Sequence, residues 1–330
     1  MHTFDFDKMC KESRRALSAA TCSPRKAVII HSGVTVGVSL LLMLLSYWLD
    51  VSIAQTGGLG GIGTRTVLET VKSVLQAVNM ILMPFWAIGY FRIVLQWSRW
   101  ENGEYGTLLS GFRYFGVVLR LQIFQLVIFL GLAILGSYAG SAIFMLTPGA
   151  RTIMELTQQM TQSGVTDPYA IMESEAYMAA MQPMIPYMVV AAVVVVAPFA
   201  YRLRFAQFAL MDNPKQGALR ALIKSWRMTR KRCVALLKLD LQFWWYHLAV
   251  VLITALCYGD MLLPLVGIEL GIGADVAMFA FYIAALVCEF GLHVWKRNEV
   301  FTVYALAYGQ LMQPQPEKPQ IQPKRVPWTY

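Results

Sequence analysis

The chain has 330 residues, 57% of them hydrophobic and 14% charged, with a formal net charge of +9 and a mean hydropathy of +0.51. Soluble domains carry about 45–50% apolar and about 25% charged residues, so this chain lacks the polar surface that a soluble fold of its size needs. The apolar surplus lies in long runs, such as VIIHSGVTVGVSLLLMLLSYWL (28–49) and IPYMVVAAVVVVAPFAYRL (185–203). About 20 mostly apolar residues cross a bilayer, and the reading is an integral membrane protein.

In chain order, residues 1–26 form a basic N-terminal segment. The apolar run that follows is too long for a signal-peptide core and has no small-x-small site after Trp48, so it is expected to stay as the first span. Six spans are predicted, at 27–48, 71–97, 117–146, 184–210, 235–258 and 272–295. All are expected to be helical, because backbone exposed to lipid must satisfy its own hydrogen bonds. The predicted fold is therefore an all-α, polytopic helix bundle with a membrane domain at 27–312. Pro84 and Pro198 are expected to kink spans two and four. MLLPLVGI (261–268) is too short to cross and is expected to extend span five or lie at the interface. The Pro- and Gln-rich residues 313–330 read as an extended tail. Cys10, Cys22, Cys233, Cys257 and Cys288 show no paired or metal-ligand spacing and read as free thiols.

Cations set the expected orientation. Of the 28 Lys and Arg, all but Arg65, Lys72 and Arg151 fall in 1–26, in the flanked connections between spans two and three or four and five, or in 296–330. The positive-inside rule then places both termini in the cytoplasm and the loops 49–70, 147–183 and 259–271 outside.

An internal repeat is also expected. YFRIVLQWSRWENGEYGTL (90–108) aligns with YRLRFAQFALMDNPKQGAL (201–219). Tyr90 matches Tyr201, Gln96 matches Gln207, Glu101-Asn102 matches Asp212-Asn213, and Gly106 matches Gly217. Parallel repeats of this kind occur in some transporters. In the second copy Asp212 or Asn213 is expected to cap the next helix, with Pro214 at its first position. Glu101 and Asn102 are expected to do the same in the first copy. Leu219, Leu222, Ile223 and Trp226 then fall at i, i+3, i+4 and i+7, with Arg220, Lys224, Arg227, Arg230 and Lys231 around them. That pattern predicts a basic amphipathic helix in the interface plane, binding anionic lipid headgroups rather than nucleic acid.

The same stretch carries a family resemblance. Asp212-Asn213-Pro214, Ser225, Met228, Lys231, Leu239-Asp240-Leu241 and Trp244, with Pro264 and VFTVYALAYGQL (300–311) farther on, resemble the bacterial membrane family named domain of unknown function 975. The resemblance covers about 200–312. Pro264-Leu265 stands where the family has Pro-Tyr, and the 147–183 loop is longer than expected. It implies a multi-pass protein of the bacterial plasma membrane and brings no reaction.

Ionisable residues inside spans are the functional candidates, because charge in hydrocarbon costs at least about 2.5 kcal/mol. Asp240, Trp244 and His247 are spaced to share one helix face in span five. His247 reads either as a proton relay or polar substrate site, or as a structural imidazole with Asp240 paired to an arginine. Glu289 and His293 stand one turn apart in span six. They read as a gate or proton site with Arg92, Arg202 or Arg204, or as a structural pair. Met178, Met181, Met184 and Met188 follow helical spacing, which suits Cu(I) collection or simple packing. GGLGGIG (57–63) lacks the Lys-Ser/Thr of a phosphate loop, and no serine-hydrolase or zinc-protease motif occurs. No cofactor or metal is expected. The sequence thus points to a non-catalytic scaffold or accessory component that contacts other membrane proteins or a second copy. The alternative is a transporter or channel subunit built around His247 and Glu289.

Overall fold

The computed structural model describes residues 4–55, 62–162, 174–230, 232–259 and 274–312. The tail 313–330, Lys231, the segment 261–268 with Pro264, and most of the glycine run at 57–63 lie outside the described residues. Among the described residues every regular element is helical.

Helix α1 (Phe6–Ser18) is capped by Asp5, whose carboxylate accepts the Lys8 N–H at 3.1 Å. Met9, Ser13 and Ala16 recur at helical spacing and form its buried stripe. The two long hydrophobic helices that follow are α2 (Pro24–Gln55, 32 residues) and α3 (Ile62–Ser98, 37 residues). At about 1.5 Å per residue they reach about 48 and about 55 Å, well beyond a hydrocarbon layer of about 30 Å. A 3-10 turn (Tyr105–Leu109) and a single helical turn (Ser110–Arg113) lead into α4 (Phe115–Phe144). Next come α5 (Pro148–Gln162), α6 (Glu175–Met181) and α7 (Met184–Leu203). The chain continues through α8 (Ala206–Asp212), a 3-10 turn (Pro214–Gln216), and α9 (Ala218–Thr229). Helices α10 (Cys233–Gln242), α11 (Trp244–Leu256) and α12 (Ala274–Leu292) precede a π-helical segment (His293–Arg297) and α13 (Asn298–Met312).

Among the described residues five helical stretches are long and apolar enough to cross a membrane: Pro24–Ile53, Thr64–Ser98, Phe115–Phe144, Glu175–Asp212 and Val276–Met312. The pair α10 and α11, bent by 76°, makes a sixth if it is counted as one span. The all-α, multi-span bundle read from the sequence is therefore present. Two spans differ in detail. Span five is broken at Phe243, although residues 233–256 contain no Gly or Pro. The cause is tertiary: Phe243 is buried between the rings of Phe6 (5.2 Å) and Tyr304 (6.2 Å). Span six does not stop at 295 but runs on through the π segment to Met312. Pro84 and Pro198 both lie inside uninterrupted helices.

The core sits at one end of the bundle, the end rich in cations. It gathers Phe85–Trp97 of α3, Leu108, Val118 and Leu121, most of α8, the inner face of α9, and Val300–Leu311. Phe208 stacks on Tyr308 at 5.9 Å. Two glycines permit this closure. A Cβ on Gly89 would strike the Leu108 carbonyl oxygen, and one on Gly111 would strike that of Phe85. The return after α3 therefore lies directly on the helix it leaves. Helix α1 docks here too: Arg14 Nε meets Glu299 Oε1 at 2.9 Å, and the Ser13 hydroxyl donates to the Glu299 carbonyl. The described N-terminal and C-terminal helices thus share one end of the bundle.

Toward the other end, α4 and α7 pack through Gly136 and Gly140, whose added Cβ atoms would meet the backbone of Ala192 and of Tyr187–Met188. GSYAG (136–140) is a small-xxx-small seam of the kind that brings membrane helices close. Beyond it, Phe144, Ala150 and Ile153 form a small cluster with Tyr177, Ala180, Met181 and Met184. Two methionines of the predicted stripe are therefore in packing contact.

Candidate functional site: a polar cavity in the cation-rich end

Three predicted residues meet where α7 breaks and α10 bends. Arg204 lies in the break between α7 and α8. The carbonyl of Arg202, beside that break, is taken up by the hydroxyls of Ser225 (2.8 Å) and Thr229 (3.1 Å) on α9. Arg204 Nη1 donates to both Asp240 oxygens at 2.7 and 2.6 Å. Its guanidinium also lies 4.0 Å from the centre of the Tyr304 ring, a cation–π contact. The Tyr304 hydroxyl donates to Asp240 at 2.9 Å and stands 3.0 Å from His247 Nε2. Because the tyrosine's one proton goes to the carboxylate, His247 Nε2–H is the donor to the tyrosine oxygen. His247, Tyr304, Asp240 and Arg204 thus form one continuous hydrogen-bonded chain. Asp240 and His247 lie on two helices either side of the bend at Phe243, yet their side chains come within 4.0 Å of each other as expected, whereas Trp244 is 60% exposed and takes no part. Tyr304 joins them instead.

The second pair lies on α12 and the π segment. Arg297 Nη1 is 3.1 Å from His293 Nδ1. Arginine only donates, so Nδ1 accepts and the ring proton sits on Nε2. Glu289 Oε1 is 3.9 Å from the same nitrogen, beyond hydrogen-bond range, and its side chain is 40% exposed. The arginine partner of His293 is Arg297, not Arg92, Arg202 or Arg204 as expected. Arg92 lies over Tyr114, and Arg202 lies over Trp226. A π segment shifts every following side chain by a fraction of a turn, and such bulges recur at functional sites.

Both pairs open on one cavity of about 420 Å³, lined by Arg204, His247, His293, Arg297 and Tyr304 among others. An adjoining cavity of about 280 Å³ shares Val250 and His293 and extends past Glu289 to Tyr258 and Tyr282. A larger apolar cleft of about 890 Å³, between α3, α4 and α7, reaches Arg204 and Gln207 from the other side. Among the described residues no cluster of three or more His, Cys, Asp or Glu could hold a metal.

His31 does not stand out among the candidates drawn from the sequence. It is buried on α2, neither ring nitrogen has a hydrogen-bond partner, and its ring packs against Tyr90 at 4.7 Å. Tyr90 in turn donates to Asn298, whose amide donates to the Pro24 carbonyl. A histidine within the first apolar run is the one signal that points to it.

The predicted turn residues take other roles. Asp212 caps nothing: it binds Arg99 (2.7 Å), the Tyr308 hydroxyl (2.9 Å) and, at 3.6 Å, Lys224. Asn213 precedes the 3-10 turn without a side-chain cap bond, and Gly217, at φ +81°, is the residue before α9. Pro214 does start that 3-10 turn. In the 90–108 stretch Glu104, not Glu101 or Asn102, precedes the turn, also without a side-chain bond. Asp212 serves as counter-ion to Arg99 and Lys224 and as acceptor for the Tyr308 hydroxyl, which holds its carboxylate on other elements and away from its own backbone.

Helix α9 is rotated from the predicted stripe. Ala218, Ala221, Leu222, Ser225 and Thr229 face inward, while Leu219 and Ile223 are exposed. Small residues win the inward side because α9 packs closely on α7 and α8. Lys224 turns inward to Asp212, whereas Arg220, Arg227 and Arg230 are exposed. Comparison of the chain with family models, curated proteins and solved structures gives no match, so what this site does has to be read from its own geometry.

Proposed function

We propose that this multi-span membrane protein is a non-catalytic scaffold or accessory component of an assembly in a bacterial plasma membrane. The division of its charges carries the reading. Asp212, Asp240 and Glu299 are each engaged by cations of the chain itself, which ties the helices of the packed end together. Arg220, Arg227 and Arg230 stay outward, where anionic headgroups or an acidic partner meet them. The resemblance to the domain of unknown function 975 family implies only a multi-pass protein of the bacterial plasma membrane and supplies no reaction.

In-cell crosslinking of the full chain, followed by mass-spectrometric identification, tests the proposal. A recurrent membrane neighbour or a second copy is the expected product. Recovery of the chain alone, under conditions that crosslink a known membrane complex, overturns it.

The cavities favour one alternative, a transporter or channel subunit. In proteoliposomes that reading requires a solute or ion flux that His247→Ala or Glu289→Gln abolishes while the protein stays folded.

A further inference from the structure

Arg297 stands apart among the arginines of the packed end by a buried Nε–H with no partner. Among the described residues no carboxylate pairs with it, nor with Arg92 or Arg202, whereas Arg14, Arg99, Arg204 and Lys296 all have one. Its Nε–H is buried without a partner, and its one hydrogen bond runs to the neutral Nδ1 of His293. Its guanidinium is fixed over the rings of Tyr90 (4.8 Å) and Phe301 (5.3 Å). A cation held in a partly dry, aromatic-walled cavity with an unmet donor calls for an anion. A guanidinium fork suits an oxyanion, phosphate or carboxylate, better than any other ligand.

The surroundings define the rest of the ligand. Arg204, already shared with Asp240, brings a second guanidinium to the same cavity. His293 offers Nε2–H as a neutral donor. The adjoining cavity leads away along α11 and α12 past Val250, Ile253 and Leu292 to Tyr258 and Tyr282. From Val250 to Tyr258 the rise is about 12 Å, room for much of an acyl chain. Glu289 lines the wall of that adjoining cavity with a side chain 40% exposed, and forms no ion pair with Arg297 of the π segment.

We propose that this cavity binds the oxyanion head of an amphiphile at Arg297, with its hydrocarbon chain between α11 and α12. An anionic phospholipid is the membrane's own supply of such a molecule. The site is distinct from the exposed cations of α9, and does not depend on the scaffold role.

Native mass spectrometry of the full chain in non-ionic detergent tests it, with dioleoylphosphatidylglycerol, dioleoylphosphatidylcholine and inorganic phosphate as probes. The phosphatidylglycerol adduct is expected to persist where phosphatidylcholine is lost, and to weaken about ten-fold or more in Arg297→Gln. Arg297→Lys, which keeps the charge and loses the fork, should fall between, and Arg151→Gln should match the wild type. Val250→Trp fills the junction of the two cavities without altering charge, so it keeps the test open if Arg297→Gln does not fold. It should weaken the lipid adduct and spare phosphate. Phosphate bound with the same Arg297 dependence, together with lipid binding that ignores Val250→Trp, identifies a free oxyanion and overturns the lipid as its source. Equal phosphatidylglycerol retention in wild type, Arg297→Gln and Val250→Trp overturns the site.

Discussion

The two ends of the bundle are held together by different means. At the cation-rich end, helices that outrun the hydrocarbon layer bury aromatic side chains and close three ionic nodes around Asp212, Asp240 and Glu299. Toward the other end, the spans present Val127, Leu135, Val190 and Val194 outward and touch chiefly through a glycine seam. Hydrophobic burial drives association only where water is the alternative. Within lipid an exposed valine carries no penalty, so close backbone contact must hold the helices together. The polar cavity lies on the side of the first regime, where charged groups can be compensated.

The largest effect that would break this contrast is at Asp240. Asp240→Ala leaves Arg204 without its carboxylate and should cost about 3–5 kcal/mol, read as loss of folded protein in a denaturant or thermal titration. The paired change Arg204→Met with Asp240→Leu should recover most of that loss, since removing both charges also removes the desolvation cost. A double variant as unstable as Asp240→Ala alone would show that the node matters for more than charge.

Next comes the glycine seam. Gly140→Leu forces a side chain into the backbone of α7 and should cost about 1–3 kcal/mol. Because the contact is inside the bilayer, this loss should vary with lipid or detergent, while that of Asp240→Ala should not. Equal sensitivity of both variants to the lipid environment would erase the distinction between the ends.

Asp212→Asn retains one acceptor for the Tyr308 hydroxyl but no charge for Arg99 or Lys224. About 1–3 kcal/mol is expected, toward the lower part because Arg99 is 38% exposed. The smallest effect on stability belongs to Arg227→Gln on the outer face of α9, within about 0.5 kcal/mol. It should nevertheless lower adsorption of the protein's basic face to anionic vesicles by about 1 kcal/mol. Topology gives the last check: on intact cells Cys10 and Cys233 should resist an impermeant maleimide added outside. Cys10 is also slow for a local reason, since burial and the nearby Glu299 carboxylate push its thiol above its ordinary range. Rapid labelling of Cys233 from outside would reverse the proposed orientation.

Much of the candidate site is legible in the amino-acid sequence alone. Asp240, His247, Glu289 and His293 stand out because ionisable groups are costly in apolar runs, and an arginine partner for Asp240 follows from the same cost. Arg297 and His31 are harder to find. One sits in a basic flank that looks solvated, and the other is a lone imidazole whose neighbours come from a different span. Asp212 misleads because capping chemistry and tertiary ion pairing use the same carboxylate; Asn213 makes no cap bond, and the first turn is preceded by Glu104 instead of Glu101 or Asn102. Local spacing cannot tell which partner is nearer.

Helices apolar enough to cross a membrane, the positions of most of them and the cation-rich end are all written in the order of residues along the chain. Those properties depend on hydropathy and charge summed along a segment, which no later packing can change. Packing between distant segments sets the bend of span five at Phe243, the continuation of span six to Met312, the small residues that α9 turns inward, and the exposure of Arg297 to a cavity with no carboxylate paired to it. Each of these depends on what stands opposite: Phe6 and Tyr304 at the bend, the close-packed α7 and α8 beneath α9, and the aromatic walls that hold Arg297 toward the cavity.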